Sequence, residues 1–325
     1  MTNGRPYKPG RANYPPVLLR KRDAAFRHHA YLKISEGCNR ACAFCAIPLI
    51  RGKQVSSSIN DLAEEARQLE KSGVKELTLV AQDLSSYGLD LHNSENLTSL
   101  LENLLKKTKI PWIRLMYLYP EHITDDLLNL MATEPRICKY IDMPIQHASD
   151  KILKLMRRKG TQKDLRNLIE KIRVKVSGIS LRTTLLLGFP GETHEDFEEL
   201  MRFADDIQFE HLGAFIWSPE EGTSAIKLKR ERVPEDVARL RLNALTERSE
   251  EISLEKNEQL IGKTVEVILD SVADESEFHF YGRTRGDAFE VDNVVRILEG
   301  NGSVGKICKV KIVDAKEHEI DGVIL

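Results

Sequence analysis

The chain has 325 residues, 41% hydrophobic and 30% charged, with 48 Lys and Arg set against 50 Asp and Glu for a formal net charge of -2. This balance excludes a disordered chain and a surface that is basic throughout, while the length allows a buried catalytic core with one small accessory domain. No apolar run approaches the roughly 20 residues needed to span a bilayer, and the first residues lack the apolar stretch of a secretion signal, so a cytoplasmic location without a membrane is expected.

Residues 1–29 hold four of the twelve prolines and the basic run Arg20, Lys21 and Arg22, and read as a linker or tail. Beyond them short apolar runs alternate with helical periods. Strands are predicted at Tyr31 to Ile34, Glu76 to Val80, Trp112 to Tyr117, Tyr140 to Met143, Ser180 to Leu187 and His211 to Ile216. Helices are predicted at Ile59 to Lys71, Leu97 to Lys106, Thr124 to Met131, Asp150 to Met156, Asp164 to Val174 and Glu195 to Asp205. Strand-helix repetition of this kind means an α/β fold with a parallel sheet of about six units, which an open or incomplete (βα)6 barrel resembling the TIM type accommodates best.

Pro234 opens a long charged helix to about Gln259, with Val237, Leu240, Leu242, Leu245 and Ile252 on its apolar stripe, and it reads as a spacer. After Gly262 the texture turns all-β: TVEVILD, FHFYGRTR, NVVRILE, KICKVKIVDA and EIDGVIL, separated by turn residues, predict a small five-stranded barrel. The expected division is therefore a tail over 1–29, a core over 30–256 that includes the spacer helix, and a barrel over 257–325. On the barrel Arg283, Arg285, Lys306, Lys309 and Lys311 offer a contact surface, and Asp274, Glu275, Glu277, Asp287 and Glu290 make it a mixed face suited to a basic partner. On this reading, truncation near Lys256 leaves the core intact and weakens substrate binding.

The sharpest signal is Cys38, Cys42 and Cys45, placed just after the first predicted strand. Three of the five cysteines within eight residues suggest metal rather than a disulfide framework. Zinc is one alternative, although a structural zinc wants four ligands and no fourth Cys or His follows at short spacing. The other is a 4Fe-4S cluster, three irons of which take a thiolate each while the fourth stays open to a substrate. Cys138 and Cys308 stand apart in a strand and in the small barrel, and read as packed thiols.

This CxxxCxxC motif after the first strand of a parallel barrel resembles the radical S-adenosylmethionine superfamily. The resemblance implies that the open iron chelates the methionine moiety of S-adenosylmethionine, and that an electron from the cluster cleaves it to a 5'-deoxyadenosyl radical. It also implies cofactor contacts where a parallel barrel exposes its C-terminal strand ends. Phe44 is expected near the adenine, Gln82 and Asp83 at the methionine end, Gln146 and His147 at the ribose, and Gly188, Phe189, Pro190 and Gly191 where backbone meets the adenine.

Longer stretches, YLKISEGCNRACAFCAIPLIRG, AQDLSSYGLDL, RLMYLYPEHITDDLLNLM, YIDMPIQHASDKILKLMRRKG, LLLGFPGETHEDF and WSPEEGTSA, resemble the methylthiotransferases and within them the RimO family; the final barrel resembles that family's TRAM domain. The resemblance implies insertion of a methylthio group at the β-carbon of an aspartate in small-subunit ribosomal protein twelve, with an electron donor such as flavodoxin or ferredoxin. The related MiaB family, acting on an adenosine of transfer RNA, is the alternative, and a cluster-bearing docking module without turnover is another. Two departures accompany it. The family carries a second 4Fe-4S cluster in an N-terminal domain with three more cysteines, which this chain lacks, so S-adenosylmethionine cleavage without sulfur transfer is expected. Ser57 also stands where the family usually has arginine.

Overall fold

The computed structural model describes residues 27–91, 95–274 and 277–325. The tail up to residue 26 and Glu275 lie outside the described residues. In chain order the elements are β1 (His29–Lys33), β2 (Ser35–Glu36), α1 (Ile47–Ile50), β3 (Val55–Ser56), α2 (Ile59–Lys71), β4 (Glu76–Val80), α3 (Leu97–Lys107), β5 (Trp112–Leu115), α4 (Asp125–Thr133) and β6 (Ile137–Asp142). They continue with α5 (Asp150–Leu155), α6 (Gln162–Lys175), β7 (Ser180–Leu187), α7 (His194–Ile207), β8 (His211–Ile216) and α8 (Glu235–Glu258). Last come β9 (Thr264–Val272), β10 (Phe280–Thr284), β11 (Val294–Glu299), β12 (Ile307–Ala315) and β13 (Glu319–Ile324).

Strands β1, β4, β5, β6, β7 and β8 make one parallel sheet in that order, with β1 and β8 as its edges. The period of two along each strand separates its faces. Leu77, Leu79, Ile113, Leu115, Leu181 and Leu185 join the helices' Leu62, Leu100, Leu128, Ile169, Leu200 and Phe203 in one buried cluster. Polar side chains start the helices. Ser58 accepts from the Asp61 N–H, and the Asn96/Ser99, Thr161/Asp164 and Thr193/Asp196 pairs form reciprocal caps at α3, α6 and α7. The result is the partial barrel that the alternation of runs predicts.

Strands β9 to β13 close a second barrel in the order β10-β11-β13-β12-β9, around Val267, Leu269, Val295, Ile297, Val310 and Ile312. This barrel sits beneath the N-terminal ends of the parallel strands. Residues 284–293 reach into that mouth: the Arg285 carbonyl accepts from Arg114 Nη1 at 3.0 Å, the Gly286 carbonyl accepts from Ser180 Oγ at 3.0 Å, and Phe289 stacks on His29 with centroids 4.6 Å apart. Trp112, Cys138 and Tyr140 pack with Ile268 and Ala288 across the junction.

Two expectations are corrected here. Arg283 is no surface cation: only 3% exposed, it pairs with Glu76 at 2.6 Å and Asp270 at 2.7 Å, and Arg285 lies over the Trp112 ring. A basic residue on a barrel strand looks solvated in sequence because one of its two acid partners, Glu76, is about two hundred residues away. The stripe on α8 holds at Leu245 and Ile252, which are buried, but Leu240 is 68% exposed, and Ala238, Arg241, Ser253 and Asn257 join the inward face. Arg241 pairs with buried Glu192, and Ser253 and Asn257 donate to carbonyls of residues 316 and 317, so polar complementarity works beside hydropathy on that face.

The spacer helix and barrel are therefore integral to the core. A chain ending at Glu258 would expose Trp112 and Tyr140 and remove Arg283 from Glu76. It is expected to aggregate or lose its cooperative melt, checked by size-exclusion chromatography and thermal circular dichroism. A monomeric product with a sharp transition would instead mean two independent units.

Candidate active site

The cysteine loop leaves β2 through Gly37, whose φ of 76° and whose proximity to the Gly52 and Lys53 carbonyls leave no room for a Cβ. The Cys38 N–H donates to the Gly52 carbonyl at 3.2 Å, and the Ala43 N–H donates to the Met156 carbonyl at 2.9 Å. Those bonds tie the loop to the β2–β3 side and to the end of α5. Cys38, Cys42 and Cys45 consequently share the wall of a cavity of about 530 Å³ at the C-terminal ends of the parallel strands. A larger cleft of about 810 Å³, beside α5 and the start of α8, contains none of them. The three thiols open into the smaller one.

Strand ends shape its opposite wall. Tyr117 and Gln146, just beyond β5 and β6, adopt φ of 61° and 74°, a left-handed conformation that costs side-chain-bearing residues free energy and accumulates at functional sites. Asp83 is buried and accepts from Arg40 Nε at 2.8 Å and Ser85 Oγ at 2.6 Å. The guanidiniums of Arg40 and Arg158 lie over the Tyr119 ring, 3.7 and 3.9 Å from its centroid. Two N–H donors point at sulfur, from the Arg40 backbone to Cys38 Sγ at 3.3 Å and from Arg158 Nη1 to Cys42 Sγ at 3.7 Å. Burial pushes the Cys38 and Cys45 thiols up, so any metal must displace their protons. Gln82 Oε1 is buried with no hydrogen-bond partner, an acceptor facing a missing donor.

Residues 32–204 match the Radical SAM superfamily, and residues 261–325 match the TRAM domain. The chain is 46% identical to the ribosomal protein uS12 methylthiotransferase RimO of Flavobacterium johnsoniae, over 96% of this chain and 71% of that protein. This chain belongs to the RimO family of radical SAM methylthiotransferases. It is 44% identical to the RimO protein of an Anaeromyxobacter species, over 91% of this chain and 63% of the relative, so it spans about two thirds of these curated relatives. Coproporphyrinogen III oxidase from Escherichia coli shares the fold, with a TM-score of 0.52 at 16% identity over 73% of this chain and 55% of that chain. No helix among the described residues is long and apolar enough to cross a membrane.

A radical SAM family implies a 4Fe-4S cluster and S-adenosylmethionine, and the residues of this RimO-family cavity fit both. Three thiols on one wall suit a cluster whose irons take one each. The unpartnered Gln82 oxygen suits an ammonium group. Phe44, Gln82, Asp83 and Gln146 line the cavity with the cysteines, whereas Gly188, Phe189 and Pro190 do not. Phe189 is fully buried and packs edge-on to Phe44 at 6.5 Å and Trp217 at 6.0 Å, so that turn supports the wall from behind. His147 is buried as well, its Nδ1 accepting from the Ser149 N–H at 2.9 Å. Ser57 is not on the wall; its carbonyl accepts from the Tyr87 hydroxyl at 2.7 Å. Cys138 and Cys308 are buried among apolar neighbours, as packed thiols are.

Sequence reasoning missed Arg40, Tyr117, Tyr119, Arg158 and Arg182, all on the cavity wall. Arg40 lies inside the cysteine motif and was available as a candidate. Arg182, a charge in the middle of a predicted buried strand, was the other usable signal.

Proposed function

We propose that this chain is the catalytic and C-terminal portion of an enzyme that inserts a methylthio group at the β-carbon of an aspartate in ribosomal protein uS12, the protein named for its relatives. The observation that carries the reading is the meeting, in one cavity, of three thiols spaced for a cluster and the unpartnered Gln82 oxygen. When bound, the cluster and S-adenosylmethionine supply a radical able to take hydrogen from an unactivated carbon, chemistry no side chain here offers.

The chain's own residues do the holding. Cys38, Cys42 and Cys45 would each take one iron, and the N–H donors of Arg40 and Arg158 would spread the charge on two of the sulfurs. Gln82 Oε1 would accept from the amino group of the methionine moiety, beside Asp83, which Arg40 and Ser85 keep oriented. Phe44 and Gln146 would face the nucleoside, and Phe44 and Tyr119 limit water at the loop.

Cys138 and Cys308 are buried, so this chain alone offers thiols for one cluster. Sulfur would come from a second 4Fe-4S cluster outside it, and a soluble one-electron carrier of the flavodoxin or ferredoxin type would reduce the first, in the cytoplasm. By itself the chain is expected to cleave S-adenosylmethionine without transferring sulfur. Anaerobic reconstitution with dithionite and S-adenosylmethionine should yield 5'-deoxyadenosine and leave uS12 at its original mass. Methylthio product from this chain alone overturns that expectation, and absence of 5'-deoxyadenosine turns the reading toward a docking module. When the auxiliary-cluster domain is supplied, a mass gain on transfer RNA in place of uS12 defeats the substrate assignment.

A further inference from the structure

The cavity contains a cation that the cofactor reading does not use. Arg182, on β7, lines the cavity with its side chain 16% exposed. Its Nη1 donates to Asp142 Oδ1 at 3.1 Å and to Thr184 Oγ1 at 3.3 Å, while its Nε stands 3.3 Å from Asp292 Oδ1. Asp142 belongs to β6, but Asp292 comes from the C-terminal barrel, in the segment that fills the lower mouth of the sheet. Each carboxylate has other donors. Asp142 Oδ2 accepts from the Tyr117 N–H at 3.2 Å, and Asp292 Oδ2 accepts from the Tyr140 hydroxyl at 2.7 Å and the Ala288 N–H at 2.8 Å.

The guanidinium is thus gripped at Nη1 and Nε, and Nη2 has no hydrogen-bond partner among the described residues. Opposite Nη2 stands Gly213 of β8, where even an added Cβ would lie 3.5 Å away, so no side chain from that position covers it. Apart from the cysteines, the charged residues on the cavity wall are Arg40, Arg158 and Arg182 against Asp83 alone, and Arg158 has no carboxylate partner among the described residues. Arg40 and Arg182 are already matched by carboxylates, Asp83 and Glu121 for the first and Asp142 and Asp292 for the second, so what Arg182 adds to the wall is a fixed N–H donor, and the uncompensated positive charge beside it is that of Arg158.

We propose that Arg182 Nη2 is a carboxylate-binding subsite for the substrate's acidic side chain, and that Asp292 is the positioning residue that aims it. The assignment rests on the uS12 reading and deepens it. It gives the C-terminal barrel a role beneath the active site, where it holds a specificity-determining arginine by a contact through the barrel floor.

The test uses the full chain with its cluster reconstituted and S-adenosylmethionine present, and a fluorescent uS12 peptide carrying either aspartate or asparagine at the target position. Fluorescence anisotropy should show the wild type preferring the aspartate peptide by about tenfold or more, the scale expected of a charge-assisted contact. Gly213→Asp supplies an internal carboxylate beside Nη2 with Arg182 and its two acids left in place, and should reduce the preference to near unity; Gly213→Ala should retain it. Should Gly213→Asp fail to give a normal thermal melt, Arg182→Lys and Asp292→Asn carry the test, each expected to narrow the preference several-fold. Retention of the full preference in folded Gly213→Asp, or in both other variants, overturns the subsite alone. A wild type that binds neither peptide but binds transfer RNA overturns the subsite together with the uS12 reading.

Discussion

Alanine in place of Cys38, Cys42 or Cys45 is expected to abolish the iron-sulfur absorbance of the anaerobically reconstituted chain and to bring 5'-deoxyadenosine formation down to the level of the enzyme-free control. Each thiol is one of only three on the cavity wall, and the two remaining cysteines are buried in apolar clusters at the barrel junction and inside the small barrel, too enclosed to substitute. Cys138→Ala and Cys308→Ala should keep full iron content and cost about 1 kcal/mol of stability, the usual scale for a small change at a packed site. Iron analysis and product quantification on the five variants check this. A full cluster in any of the first three, or its loss in either of the last two, would overturn the ligand assignment.

Glu76→Gln is expected to destabilise the chain by about 3–5 kcal/mol, because removing one member of a buried ion network leaves its partners charged and dry. Glu76 is fully buried and faces Arg114 Nε at 2.6 Å and Arg283 Nη2 at 2.6 Å. Burial pushes its carboxyl up, but the two guanidiniums more than reverse this and hold it at about 2, against an ordinary 4.5. Its stabilisation is therefore complete above about pH 4.5 and is lost as pH falls toward 2. Next to it, burial lowers His29 to about 4 from 6.5, so the unfolded chain takes up that proton first and stability already declines between pH 6.5 and 4. Urea midpoints measured across this range should fall continuously on acidification. Glu76→Gln should lower the midpoint at neutral pH and flatten its fall below about 4.5. A midpoint that is independent of pH from 6.5 to 4, or unchanged in the variant, would deny the network its role.

The parts of the molecule that could be read in one dimension are those set by local periodicity. The run at Glu76–Val80 and the helix at Ile59–Lys71 have the bounds their patterns indicate, because each buries a face against a generic apolar layer. The cysteine spacing likewise carries its own chemistry, since three thiols in one loop must share a neighbourhood. Where readings failed, a specific distant partner decided the outcome. Arg283 lies inward because Glu76 is there, and Phe189 lies behind the wall because Phe44 and Trp217 complete its packing.

The strand-helix order, the five short strands of the C-terminal segment and the grouping of three thiols in one loop can thus be read along the chain, because each follows from interactions among residues close in sequence. Folding in three dimensions was needed to close the small barrel through the β9–β12 pair, to seat it in the lower mouth of the sheet, to bring Asp292 to Arg182 and to select which strand-end residues reach the cavity. Those outcomes depend on pairing buried charges and packing side chains separated by a hundred residues or more, and no periodicity along the chain encodes which partner a buried charge will meet.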